Sequence, residues 1–314
     1  MEAKAKKRAL VLGCGGVAGA AWTTATLSEL ERVLGWDARE ADVLIGTSAG
    51  ALAAALLGAG VSVSQLMKSQ RGELEADCWD HARDWGSGRP PVPSLRFTAP
   101  RFWSGVMRGR VSLATAFTGL LPEGRAGFAS FERLFARVLP EQRWVSHKAT
   151  WIMVADVDSG ERVAFGKPGS PLASISSAVS ASYAVPGWYT PIRIGERTYV
   201  DGGVVSPTSA DLLLGSDITE AIVLAPMAAR EPASGGARRN PFAEALRMHM
   251  TRIVDREVKA LQAAKIRVIR LDPSNEDIAA FGINLMDPRR RLGVLETAIR
   301  TAPRAVESAL QLAE

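Results

Sequence analysis

The chain has 314 residues, 47% of them hydrophobic and 23% charged, with a formal net charge of +5. That balance is typical of a globular protein long enough to bury a sizeable core, and it excludes a disordered or strongly polybasic chain. Its two cysteines lie in no Cys-x-x-Cys or Cys/His cluster, and no apolar run approaches the roughly 18 residues of a membrane span, so a zinc site, a disulfide framework and a spanning helix all lack support.

Met1–Arg8 is a basic tail. The apolar residues Ala9-Leu10-Val11-Leu12 are too few for the apolar region of a signal peptide, roughly 7–15 residues, and read as a first strand. A cytoplasmic protein is expected, with peripheral contact at an anionic membrane surface compatible with the modest positive charge. The basic residues are scattered, without aromatic interleaving, which argues against nucleic acid as a partner. Gly13-Cys14-Gly15-Gly16-Val17-Ala18-Gly19 follows the strand, and a helix is predicted over 20–34 with Leu27, Leu30 and Leu34 on one face. Val43-Leu44-Ile45 reads as a second buried strand, Gly46-Thr47-Ser48-Ala49-Gly50 as a tight turn, and Ala51–Leu57 as a helix. Two strand–loop–helix units in succession predict a parallel sheet with helices on its faces, both loops opening on one crevice at the carboxyl ends of the strands.

A short helix is expected over Val63–Arg71. Residues 73–127 have poor periodicity, prolines at 90, 91, 93 and 100, and the aromatics Trp79, Trp85 and Trp103. They read as an irregular insertion, whose functional counterpart would be a lid or a wall for an acyl chain. Ser130 is expected to cap a helix through Val138, and Thr150–Ala155 and Glu161–Phe165 to be strands around an Asp156–Gly160 turn. A small-residue helix over Leu172–Ser182 leads to a hairpin, Ile192–Ile194 and Arg197–Val200, that delivers Asp201-Gly202-Gly203. Beyond it a helix over Ala210–Leu214 and a strand over Ala221–Leu224 are expected, then a mobile surface loop over 227–241. A long helix over Phe242–Ala264, a last strand over Ile266–Leu271 and a helix over Arg290–Leu312, broken near Pro303, complete the chain, read as one domain over 1–314.

The chemistry concentrates in the first two loops. Strand, Gly-x-Ser-x-Gly and helix in that order is the context of a nucleophile elbow, with Ser48 on a strained turn and Gly46 and Gly50 allowing close backbone passage. An ester hydrolase needs preorganised N–H donors for its oxyanion, and Gly15, Gly16 and Ala49 are placed to supply them. A different class competes. Gly13-x-Gly15-x-x-Ala18, with Asp37 roughly 20 residues on, fits a relaxed dinucleotide fingerprint and would make an NAD(P)-dependent oxidoreductase. Asp37, however, follows Leu34-Gly35-Trp36 and is not at the end of an evident strand. Of the three histidines, His249 follows Ser48 and Asp201 in the order of a hydrolase triad, but it shares helical spacing with Phe242, Leu246 and Ile253.

Four blocks in order, Gly13–Gly19, Gly46–Gly50, Ala181-Ser182-Tyr183-Ala184-Val185-Pro186 and Asp201-Gly202-Gly203, resemble the patatin-like phospholipases over Arg8–Pro226. The Asp156–Glu161 turn is also similar. The resemblance implies a three-layer α/β/α fold with a mostly parallel central sheet. It further implies a dyad of Ser48 as nucleophile and Asp201 as base, lipid esters as substrates, and no metal or organic cofactor. Two residues depart from the family pattern: Cys14 stands where a glycine is usual, and Ala18 where an arginine or lysine is common. A short-chain carboxylesterase or thioesterase on the same dyad, and a lipid-binding protein without turnover, remain as alternatives.

Overall fold

The computed structural model describes residues 6–73, 124, 127–139, 143–229 and 241–313. The candidate wall residues Trp79, Trp85 and Trp103, with His81 and most of the 73–127 insertion, lie outside the described residues. So does all but the two ends of the loop expected over 227–241.

An eight-stranded mixed sheet forms the centre: β1 (Arg8–Leu12), β2 (Val43–Thr47), β3 (Thr150–Asp156), β4 (Arg162–Phe165), β5 (Ile192–Ile194), β6 (Arg197–Asp201), β7 (Glu220–Leu224) and β8 (Arg267–Leu271). The path runs β5-β6-β3-β2-β1-β7-β8, with β4 also on β3. From β3 to β8 every neighbouring pair is parallel, while β4, β5 and β6 pair antiparallel. The strands alternate between two cores, as a pleat of period two requires. Leu10, Leu12, Leu44, Ile152, Val154 and Leu224 face one; Ala9, Val11, Ile45, Met153 and Val223 face the other.

The first core packs α1 (Gly16–Leu34), α2 (Ala49–Gly58), α3 (Val63–Arg71), α4 (Ala129–Val138), α5 (Ile175–Ser182), and, after α6, α7 (Asn275–Phe281) and α8 (Arg291–Gln311). The second is covered by α6 (Pro241–Ala263) and a 3-10 turn at Ala210–Leu213. Helices on both faces of a mostly parallel sheet make the expected three layers.

Several boundaries differ from expectation. The first helix begins at Gly16, so the glycine loop is only three residues long before the helical N–H groups begin. Ser130 lies inside α4, whose N-cap position is Phe128 and carries no side-chain cap; amphipathic burial of Phe131, Leu134 and Phe135 holds this helix instead. The helix expected from Leu172 starts at Ile175, where the Ser174 side chain accepts the Ser177 N–H, and Leu172 is exposed. α8 passes through Pro303 without ending, since Val294, Ala298, Ala302 and Val306 keep one face buried. α7 was not anticipated; its signal is the capping box of Ser274 and Asp277. Among the described residues, no helix is long and apolar enough to cross a membrane.

The register of β3 positions the site. β2 lies beside β3 up to the pair Thr47–Met153, and β6 beside it from the pair Asp201–Val154. β4 pairs with residues 152–155 of β3 and so occupies the opposite edge. β2 and β6 therefore share one edge of β3 and point their carboxyl ends at each other. Ser48 and Asp201 meet at that junction.

Candidate active site

β2 ends at Thr47 and α2 begins at Ala49, so Ser48 alone makes the turn, at φ 56° and ψ −119°. A non-glycine residue there is strained, and such strain persists only where the surroundings enforce it. The two flanking glycines enforce it by contact. A methyl group on Gly46 would collide with the Gly50 carbonyl, and one on Gly50 with the Leu12 carbonyl of β1. A third element ties the turn down: the Ser48 N–H donates to Ser182 Oγ at 2.8 Å, and that hydroxyl donates to the Met153 carbonyl at 2.6 Å. Ser182, the last residue of α5, thus links the elbow to β3. The family-like block containing it was recognisable in the sequence, but its task was not, because it bonds a residue 134 positions away.

The Ser48 side chain lies beside the Asp201 carboxylate, close enough to favour its ionised form. Asp201 Oδ1 also accepts the Gly203 N–H at 2.7 Å. Both Ser48 and Asp201 are almost fully buried. Burial pushes the Asp201 carboxyl up to about 7, against the opposing pull of the Ser48 hydroxyl and the Gly203 N–H. Among the described residues Asp201 has no ion-pair partner and no imidazole partner. His147 sits at the amino end of β3, its Nε2 donating to the Ala41 carbonyl at 2.7 Å and its Nδ1 3.0 Å from Thr150 Oγ1. His249 lies half-buried on α6.

The glycine loop wraps the same junction. Gly13 donates to the Leu224 carbonyl and Cys14 to the Pro207 carbonyl, both at 2.9 Å, and Gly19 donates to the Gly15 carbonyl at 2.8 Å. The N–H groups of Gly15, Gly16 and Ala49 donate to no group among the described residues. They are the first free donors of α1 and α2, where the helix dipoles also favour negative charge. Cys14 keeps the backbone bond to Pro207, and its sulfur packs against Gly203, beside Asp201. Burial and the neighbouring Asp201 charge push this thiol well above its usual range, so it is no competing nucleophile. Gly202 lies against the Met153 carbonyl, where a side chain would intrude.

Asp37 does not make a nucleotide site. It caps a 3-10 turn at Ala38–Glu40 by accepting the Arg39 N–H at 2.9 Å, and it is ion-paired with the Arg39 guanidinium. A described aromatic cluster adjoins Ser182. Tyr183, next to Ser182, stacks edge-on with Phe131 at 5.3 Å and Tyr189 at 5.9 Å, and Phe128 lies on Tyr189 at 4.7 Å. Gly124, near the end of the insertion, accepts the Thr190 hydroxyl at 2.9 Å and abuts Trp188.

Comparison with known proteins bears on the family of the chain. A family model described as Patatin-like phospholipase matches residues 10–214, which span every block of the junction. The fold is similar to that of VipD from Legionella pneumophila, with a TM-score of 0.42 and 13% identity over 97% of this chain and 67% of that one. It is also similar to the type III effector protein ExoU, with a TM-score of 0.39 and 17% identity over 97% of this chain and 53% of that one. The chain thus spans about half the length of ExoU.

Proposed function

Because this chain belongs to the patatin-like phospholipase family, a family of lipid acyl hydrolases, we propose that Ser48 and Asp201 form a catalytic dyad that cleaves carboxylic esters of lipids. Phospholipase A or lysophospholipase activity through an acyl-enzyme is the reaction assigned. The observation that carries the reading is the placement of a strained Ser48 beside a buried Asp201 that has no ion-pair partner among the described residues.

Each step follows from that geometry. A free aspartate, with a pKa of about 3.9, is a poor base for a serine hydroxyl. Burial makes Asp201 a stronger one. Ser48 Oγ attacks the ester carbonyl as its proton passes to Asp201, and the carbonyl oxygen becomes an oxyanion facing the N–H groups of Gly15, Gly16 and Ala49. The oxyanion collapses, the C–O bond to the alcohol breaks, and Asp201 returns its proton to the leaving oxygen. A water molecule then attacks the acyl-serine, giving its proton to Asp201, and the fatty acid departs as Asp201 returns that proton to Ser48 Oγ. The Ser48 N–H takes no part in oxyanion binding, being held by Ser182. The lipid ester is reached by peripheral contact with a membrane surface.

Mass-spectrometric turnover of a mixture of phospholipids, lysophospholipids and short-chain esters tests the assignment. Wild-type protein should release long-chain fatty acid, and Ser48→Ala should release none. Turnover of short esters alone would move the substrate to a carboxylesterase class. No turnover of any ester, with a saturable thermal shift on adding NAD or NADP, would contradict the hydrolase reading.

A further inference from the structure

Arg247, on α6, is a cation that the proposed chemistry does not use. Its Nη1 donates to the carbonyls of Pro226 at 2.9 Å and Ala228 at 3.2 Å, and its guanidinium lies 5.7 Å from the Phe281 ring centre. Pro226 follows the carboxyl end of β7, and its ring packs on Gly13, Gly15 and Gly19. Through Pro226, Arg247 therefore adjoins the loop that carries the Gly15 and Gly16 N–H groups, near enough for its charge to act on the Cys14 thiol. Phe281 leads into a segment that closes over the same loop: the Leu285 carbonyl accepts the Ala18 N–H at 3.0 Å, and the Met286 sulfur lies against Gly16.

The charge balance around Arg247 is unusual within this molecule. Arg8, Arg162, Arg267 and Arg270 each reach a carboxylate, with Arg8–Glu220 and Arg162–Asp211 at 2.6 Å and Arg267–Glu220 and Arg270–Asp255 at 2.5 Å. Arg247 is half-buried and meets no carboxylate at ion-pair distance among the described residues. Asp272, which acts on it from further away, is itself paired with Arg270 at 2.9 Å. Desolvation depresses the guanidinium to about 10, which leaves it charged at neutral pH. Among the described residues this desolvated cation is served by two carbonyls and an aromatic ring, with no carboxylate at ion-pair distance. Its Nη2 edge donates to no described group, and a guanidinium edge matches phosphate oxygens.

We propose that Arg247 is the anion subsite of this enzyme, binding the phosphate of a phospholipid headgroup while the ester carbonyl lies at Gly15, Gly16 and Ala49. The proposal rests on the acyl hydrolase reading above. It makes the substrate a glycerophospholipid and gives Arg247 a role in substrate choice. The competing role is a structural clamp for the Pro226–Ala228 turn, which would support every substrate alike.

The test compares a phosphatidylglycerol and a diacylglycerol of identical acyl chains, each in neutral detergent micelles, with wild-type protein, Arg247→Gln and Arg247→Lys. Circular dichroism confirms the fold of each variant. Arg247→Gln should raise KM for the phospholipid at least tenfold more than for the glyceride, and Arg247→Lys, which keeps the charge, should fall between. Equal losses on both substrates in both folded variants would leave Arg247 a clamp and overturn the subsite alone. Hydrolysis of neither substrate by the wild type would instead remove the acyl hydrolase reading beneath it. Inorganic phosphate separates the two sources of this chemistry. It should compete with the phospholipid only weakly, at tens of millimolar or above (about the range of simple unorganised anion pairing). Tight competition against both substrates, lost in Arg247→Gln, would assign the subsite to free phosphate and overturn the headgroup.

Discussion

At Asp201, burial pulls the carboxyl up while the Ser48 hydroxyl and the Gly203 N–H pull it down, and burial wins, leaving it at about 7. The sign of the stability effect follows. Below its ordinary value of 3.8 the group is protonated whether the chain is folded or not. Between 3.8 and about 7 the unfolded chain ionises it and the folded chain does not, so stability falls as pH rises; above about 7 the loss is complete. Asp201→Asn removes that loss and the base together. Its melting temperature should equal the wild-type value near pH 4 and exceed it by several degrees at pH 8, while ester hydrolysis falls by ~10³ or more. A variant that melts below wild type at pH 8 would mean that the carboxylate is not held at a cost. The acid limb of kcat/KM should fall near 7, the region where an imidazole also titrates, so a pH profile does not by itself separate dyad from triad. The Ser48 turn and the glycine loop stood out in the sequence because local motifs mark them, whereas Asp201 stood out only through the resemblance of four blocks in order. The charge state of Asp201 was not legible, since burial by distant segments sets it.

The elbow depends on three elements converging within van der Waals distance. α2 can start directly at the end of β2 only because Gly46 and Gly50 lack side chains, and α5 supplies the hydroxyl that fixes the turn. Gly50→Ala should destabilise the fold by about 3 kcal/mol or more, because the added methyl meets the Leu12 backbone, which cannot move aside as a flexible side chain would. Ser182→Ala leaves the buried Ser48 N–H and Met153 carbonyl without their bridge, at a cost of roughly 1–3 kcal/mol. It should also lower kcat by ~10-fold or more with little change in KM, since the strained serine loses its anchor rather than its substrate. Thermal denaturation and steady-state kinetics measure both. Element types were readable from apolar periodicity. The ends were less so, as at Ser130, where burial of one helix face decided the boundary and the local capping signal did not. Pro303 shows the same precedence.

Across the whole molecule, β3 is the shared edge on which the carboxyl ends of β2 and β6 face each other. The parallel half of the sheet could be inferred from repeated strand–loop–helix units. The antiparallel return of β6 to the end of β2 could not, because nothing local to Arg197–Asp201 specifies which strand it joins. The same frame assigns the histidines: His147 bonds Ala41 and Thr150 at the amino end of β3, away from the junction. His147→Ala should lower stability by about 1–2 kcal/mol and leave turnover in the folded protein near wild type. The most direct measurement of the central claim is the rate at which a fluorophosphonate modifies the protein, with the site located by peptide mass spectrometry. The account predicts modification at Ser48, at a wild-type rate in His81→Ala, His147→Ala and His249→Ala and slowed by orders of magnitude in Asp201→Asn. Modification lost in a natively folded His249→Ala protein would contradict it, making His249 the base and Asp201 its orienting partner.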